Sequence, residues 1–104
     1  MLAKQYRLPA GTKLQHPYNI STQFFRIAIK ENQLTHNRFG FAISKKIDKR
    51  AVARNRLKRV LREAVKGYIQ TSAGKDMLFV VKTSFRDTPT KEIYTMVHDL
   101  LEKL

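Results

Sequence analysis

Lys49-Arg50-Ala51-Val52-Ala53-Arg54-Asn55-Arg56-Leu57-Lys58-Arg59-Val60-Leu61-Arg62-Glu63-Ala64-Val65-Lys66-Gly67-Tyr68 is the stretch from which the fold can be read. Ala53, Leu57, Val60, Leu61, Ala64, Val65 and Tyr68 recur at three- and four-residue spacing, so they form one apolar stripe and predict a helix over 49–68. Asp48 stands where a side chain would cap the first free N–H groups, and Gly67 marks where the helix ends or frays. Turning about 100° per residue from Leu57, the residues Lys58, Arg62, Asn55, Lys66, Arg59 and Arg56 fall between about 100° and about 260°, away from the stripe. One side of this helix is made for a core and the other is cationic.

A helix with one apolar stripe needs a second layer to lie on, and the flanking sequence supplies strands. Upstream, Phe24-Phe25-Arg26-Ile27-Ala28-Ile29 is rich in aromatic and β-branched residues and predicts a strand over about 23–30, with Phe25, Ile27 and Ile29 on one side of the pleat. Phe39, Phe41 and Ile43 alternate with Gly40, Ala42 and Ser44 and predict another over about 38–45. The polar connection 31–37 is short enough for these two strands to pair as an antiparallel hairpin. Gly40 and Ala42 leave one face of the second strand nearly bare, so a helix or another backbone can approach closely.

Downstream of the helix, Met77-Leu78-Phe79-Val80-Val81 is a continuous apolar run, which predicts a strand over about 77–83 buried on both faces. Thr88-Pro89 is a helix-start signal, and Ile93, Met96, Val97, Leu100, Leu101 and Leu104 carry a second helix over about 89–103. Residues 1–22 contain Pro9, Gly11 and Pro17, show no period, and are expected to be irregular. The expected architecture is α+β in a single domain over 1–104: a mixed sheet with helices packed on it. Its central strand, helix and strand would join parallel neighbours.

Composition narrows the function. The 104 residues carry 21 Lys and Arg against 8 Asp and Glu, a formal charge of +13. With 42% hydrophobic residues the charge sits on a folded domain rather than a disordered basic tail. Cysteine is absent, which excludes a disulfide scaffold, a thiolate metal site and a cysteine nucleophile. The longest apolar run, Met77–Val81, is far short of a membrane span, and Met1-Leu2-Ala3-Lys4-Gln5 has no signal-peptide character. The expectation is a cytoplasmic protein with a polyanionic partner, nucleic acid rather than a membrane.

The charge is concentrated. Between Lys45 and Lys66 stand ten basic residues and two acids, a net +8 in 22 residues, while the other 82 carry +5. Arg50, Arg54, Lys58, Arg62 and Lys66 step every four residues with only Glu63 to relieve them, a spacing at which like charges destabilise a helix. A solvated face would mix signs, so this face is read as one that binds phosphate. The arginines at 54, 56, 59 and 62 suit bidentate clamping of phosphate oxygens. Asn55 lies among them, able to bond a ribose or base edge or to close a local bond.

Other constellations carry little. His16, His36 and His98 lack metal-ligand spacing, no catalytic triad is visible, and no protein metal site is expected. Phe24, Phe25, Phe39 and Phe41 are core residues by default, yet both faces of the first strand are bulky enough that one set is available to stack unpaired bases.

Ser44-Lys45-Lys46, Lys49, Ala51-Val52, Arg54-Asn55-Arg56-Leu57-Lys58-Arg59 and Leu61-Arg62-Glu63-Ala64 together closely resemble the signature of the bacterial ribonuclease P protein component. The resemblance runs, more weakly, from about Tyr6 to the final helix. It implies a small α/β sandwich with a left-handed βαβ crossover, a hand that general rules would not predict. It further implies a subunit of an endoribonuclease that removes the 5′ leader of precursor tRNA, with the catalytic centre on an RNA subunit where Mg²⁺ ions activate water. No catalytic residue and no protein partner is expected on this chain.

Carried over by position, the resemblance makes Arg54, Asn55, Arg56, Lys58, Arg59 and Arg62 the residues that dock the catalytic RNA, with Lys45 and Lys46 continuing the surface; Arg50 and Lys66 are added to the RNA-binding set by the four-residue spacing of the charges. It makes Phe25 and Ile27, read as outward residues of the first strand, the lining of a cleft for the precursor tRNA leader. Family members open with a helix bearing two aromatic residues; here Pro9–Gln23 is shorter and interrupted by Gly11 and Pro17, with Leu14 and Tyr18 in the corresponding stretch. A structural RNA-binding protein of ribosomal type, without a catalytic role, would show the same size and charge.

Overall fold

The computed structural model describes residues 2–9 and 11–104. Four strands, β1 (Tyr18–Ser21), β2 (Phe25–Glu31), β3 (Arg38–Ala42) and β4 (Lys75–Val81), form one sheet, and two helices, α1 (Ala51–Ala64) and α2 (Thr90–Glu102), pack against each other and the sheet. Strand order is β1-β2-β4-β3, with β4 antiparallel to β2 and parallel to β3. The strand with the continuous apolar run therefore takes a central place with both its edges paired, but it is not buried on both faces as expected: Met77, Phe79 and Val81 are buried under the helices, while Leu78 and Val80 on the other face are only partly covered. The sheet is mixed and α1 joins its two parallel neighbours, as the element order implied.

The antiparallel hairpin between β2 and β3 does not form. β4 lies between them, and the link from Asn32 to Asn37 spans its first residues rather than closing a turn. The reason is legible at Gly74. Asn32 donates its backbone N–H to the Gly74 carbonyl at 3.1 Å, and Gly74 donates to the Leu34 carbonyl at 2.8 Å. A Cβ at position 74 would collide with the carbonyl oxygens of His36 and Leu34 and with Asn32 Oδ1, so only glycine lets the link pass this closely. Arg38 then clamps the end of the crossing, donating from Nε and Nη2 to the two Asp76 oxygens at 2.8 and 2.7 Å.

The segment 1–22 is not wholly irregular. Tyr18–Ser21 pairs with β2 from Tyr18 opposite Ile29 to Ser21 opposite Arg26. Only Ile20 of its four residues is even partly covered, which is why no alternating pattern announces this edge strand. Farther upstream, Leu8 donates its N–H to the Phe39 carbonyl at 2.8 Å, so the chain touches the free edge of β3. A Cβ at Gly40 would come within 3.1 Å of Leu78 and 3.2 Å of Leu8. The bare face of β3 thus admits a leucine of the N-terminal segment.

The core lies between one face of the sheet and the helices. Phe25, Ile27 and Ile29 of β2 meet Met77, Phe79 and Val81 of β4 and Phe39 of β3, and α1 closes over them with Leu57, Val60, Leu61 and Ala64. Helix α2 adds Ile93, Val97, Leu100 and Leu101. The helical stripe predicted over 49–68 ends as α-helix at Ala64 and continues as a single tighter turn over Lys66–Tyr68. Among the described residues no helix is long and apolar enough to cross a membrane.

Candidate nucleic-acid interface

Burial of Leu57, Val60, Leu61 and Ala64 turns the opposite side of α1 to solvent. Asn55 and Arg59 lie on its crest, exposed, while Lys58 and Arg62 lean to one flank, toward β3. Among the described residues the side chains of Asn55, Lys58, Arg59 and Arg62 make no hydrogen bond or ion pair, so their donors are free for an anion. Arg56 leans the other way and donates to Thr90 Oγ1 at the start of α2, 3.2 Å away. Lys66 pairs with Glu63 at 3.0 Å, one turn back.

Arg54 serves the fold as well as the face. Its Nη1 donates to the carbonyls of Asp48 and Lys49, both at 2.9 Å, tying down the turn that leads into α1. Lys45 and Lys46 stand exposed in that turn, which is closed by the Ile47 N–H on the Ser44 carbonyl at 3.1 Å. The basic positions read from the sequence therefore differ in freedom: Lys58, Arg59 and Arg62 are unpaired among the described residues, while Arg54, Arg56 and Lys66 are held by bonds within the protein.

Asp48 is the acid at the centre of this surface, and its side chain is only 7% exposed. It accepts the Arg50 backbone N–H at 3.0 Å, the Arg86 guanidinium at 3.2 Å and, more loosely, Arg50 Nε at 3.5 Å. The Arg50 backbone bond first, and then, against the effect of burial, the Arg86 and Arg50 side chains, lower its carboxyl from 3.8 to about 2. A depressed carboxylate stabilises the fold at every pH above its unfolded value, and that contribution disappears as pH falls toward the folded value. Asp48→Asn is accordingly expected to melt below the parent at pH 5–7, and the gap to close as pH falls from about 4 to about 2; thermal melts across that range check it.

Arg86 was not legible as part of this surface. It lies in an irregular turn between β4 and α2, where no period or motif marks it, and only the burial of Asp48 brings it to α1. The proposed lining of the leader cleft is corrected by the structure. Phe25 and Ile27 are 1% and 0% exposed, on the core face of β2. Phe25 stacks on Phe85 with centroids 5.3 Å apart and meets Phe79 edge-on at 5.9 Å. The alternation along β2 was read correctly, but the helices cover that side, and the exposed alternates are Arg26 and Lys30.

A groove of about 740 Å³ runs along the free edge of β3, between the N-terminal segment and α1. Lys4 and Arg7 line one wall, Lys58 and Arg62 the other, and Gly40, Phe41 and Leu78 lie between them. Arg7 Nε is buried with no hydrogen-bond partner among the described residues. Neither Lys4 nor Arg7 carries any sequence signal beyond its charge. Among the described residues no three His, Asp or Glu side chains converge to hold a metal ion.

Comparisons with known proteins agree with this geometry. The family model described as Ribonuclease P matches residues 11–104. The ribonuclease P protein component of Vibrio cholerae is 32% identical over 90 residues, covering 86% of this chain and 76% of the relative. That of Staphylococcus epidermidis is 31% identical over 106 aligned residues, covering 97% and 91%. Among solved structures, a Staphylococcus aureus RNase P protein mutant with defective mRNA degradation activity superposes with a TM-score of 0.81 at 26% identity, over 95% of this chain and 87% of that one. The RNase P protein from Thermotoga maritima shares the fold at a TM-score of 0.74 and 20% identity, covering 86% and 84%. Family model, curated relatives and fold thus agree: the chain belongs to the ribonuclease P protein family and is the protein component of that endoribonuclease, the partner of its RNA subunit.

Proposed function

We propose that the exposed side of α1 docks the catalytic RNA, and that the groove beside β3 holds the 5′ leader of precursor tRNA, so that the complex, acting in the cytoplasm, cuts the leader away and leaves a mature tRNA 5′ end. The observation that carries this reading is the set of unpaired donors at Asn55, Lys58, Arg59 and Arg62, all on one side of a single helix. Each guanidinium brought to a phosphate releases condensed counterions, which supplies affinity without base specificity. Lys58 and Arg62 border both surfaces, which supports a leader path beside the docked RNA. A single strand in the groove would meet four cations along its backbone and the Phe41 ring among its bases, a combination that tolerates many leader sequences.

The chain's own part is electrostatic. It would neutralise phosphates of two RNAs at once, while Mg²⁺ held by the catalytic RNA would supply the activated water. The protein should therefore matter most when Mg²⁺ is scarce.

The test is reconstitution with a ribonuclease P RNA at low Mg²⁺, following precursor tRNA cleavage. Strong enhancement over the RNA alone is expected; none would leave a structural RNA-binding protein of ribosomal type. Lys4→Ala with Arg7→Ala should weaken binding of leader-bearing precursor by about five- to tenfold and leave mature tRNA unaffected. Equal loss on both substrates would remove the groove from the leader's path.

A further inference from the structure

A second, smaller pocket opens on the other side of the α1 entrance. Its volume is about 220 Å³, and it lies between the turn preceding α1, the first turns of α1 and the loop after β4. Ile43, Ile47, Leu57 and Phe85 form apolar walls, and four guanidiniums, those of Arg50, Arg54, Arg56 and Arg86, stand around it. Val52 adds an apolar side chain that is 80% exposed amid these charges. Asp48 holds the assembly together, because its buried carboxylate joins the Arg86 loop to the α1 turn, leaving Arg86 51% exposed.

A bare phosphate would use the arginines and leave the apolar walls idle. A hydrophobic ligand would leave three net positive charges unanswered. What answers both is a group with a flat apolar part and an attached anion, and the volume is below that of drug-sized sites, matching one base.

We propose that this pocket takes a single unstacked nucleotide of the catalytic RNA, its base against Ile47 and Phe85 and its phosphate on Arg86 and Arg56, with Asp48 as the residue that positions Arg86. The inference rests on the reading that the α1 face docks that RNA. It adds a docking residue from outside the helix and a base-sized receptor at its entrance. Guanidinium geometry matters here, since a fork can grip a phosphate while lying flat against a base.

Arg86→Ala, Arg86→Lys, Asp48→Asn and, as a control on the crest, Arg59→Ala would be titrated against the full-length catalytic RNA over a range of salt concentrations, with nucleotide-resolution chemical probing of the complexes. Arg86→Ala is expected to weaken binding about tenfold and to lower the salt slope by about one. With it, one nucleotide protected in the parent complex becomes reactive. Arg86→Lys should restore most of the slope but not that protection.

Asp48→Asn separates positioning from charge. Removing an acid from a cationic face should tighten RNA binding if only net charge counts, whereas loss of the Arg86 anchor should weaken it several-fold. Tighter binding of Asp48→Asn, or an unchanged slope and footprint for Arg86→Ala while Arg59→Ala weakens binding, overturns the pocket and leaves the α1 reading intact. If Arg59→Ala and Arg86→Ala both bind as the parent does, the docking face itself is wrong, and this inference falls with it. Arg86→Ala removes a half-exposed side chain and its bond to Asp48, which keeps the Arg50 backbone N–H, so a thermal melt run alongside separates any loss of folding from loss of binding.

Discussion

Phe25→Ala is expected to destabilise the domain by about 3–5 kcal/mol, the range for deleting a large aromatic side chain from a packed core. The ring is fully enclosed, stacked on Phe85 and set edge-on against Phe79, and it joins β2 and β4 beneath the helices. Removing it leaves a void that its neighbours cannot fill without moving two strands. Because small domains are stable by only about 5–15 kcal/mol, most of the margin is at stake. Chemical denaturation measures the loss directly. Binding carries the second check: leader-bearing and mature tRNA should lose affinity by the same factor, since Phe25 touches neither. A selective loss on leader-bearing substrate, with stability unchanged, would contradict the buried placement of the ring.

The double variant Arg59→Ala with Arg62→Ala should lower affinity for the catalytic RNA about a hundredfold at moderate salt and reduce the salt slope by roughly two. Neither side chain bonds within the described protein, so melting should be unchanged or slightly improved as like charges are removed. These positions are better probes than Arg54, whose guanidinium also holds the Asp48 and Lys49 carbonyls and whose loss would disturb the entrance to α1. An unchanged slope for the double variant would mean that the crest of α1 faces water in the complex.

Local features were legible in the sequence and long-range ones were not. Helix α1 could be read because its stripe and its charges obey one period, and β4 because five apolar residues in a row leave few alternatives. The order of the sheet could not. A connection of the length of 31–37 allows a hairpin, and nothing local says that a strand from farther along the chain will enter between its arms. The crossing depends on what Gly74 lacks, a Cβ, which no periodicity reveals.

The two interface questions failed for similar reasons. Alternation placed Phe25, Ile27 and Ile29 together, but which side the helices cover is decided by the whole fold, and the family's outward residues were assigned to the buried side. Arg86 enters the cationic surface through a contact 38 residues away in sequence. The basic helix itself needed no such contact, and so its apolar stripe and its run of charge were readable from the beginning.

The late position of β4 also sets a timetable for synthesis. Every pair between β2 and β4 joins residues far apart, from Glu31 with Lys75 to Phe25 with Val81, and β3 meets β4 across 38 positions throughout. Until Val81 has left the ribosome, β2 can pair with β1 alone, and α1 has been made with no finished sheet to lie on. Topologies dominated by such distant pairings fold slowly, because the chain must close long loops before any contact repays the lost entropy. During that interval the nascent chain displays a strongly cationic segment close to ribosomal RNA. Its arginines are then as free to bind the machine that makes them as the RNA they will later serve, and completion of one central strand is the event that gathers the helix onto its sheet.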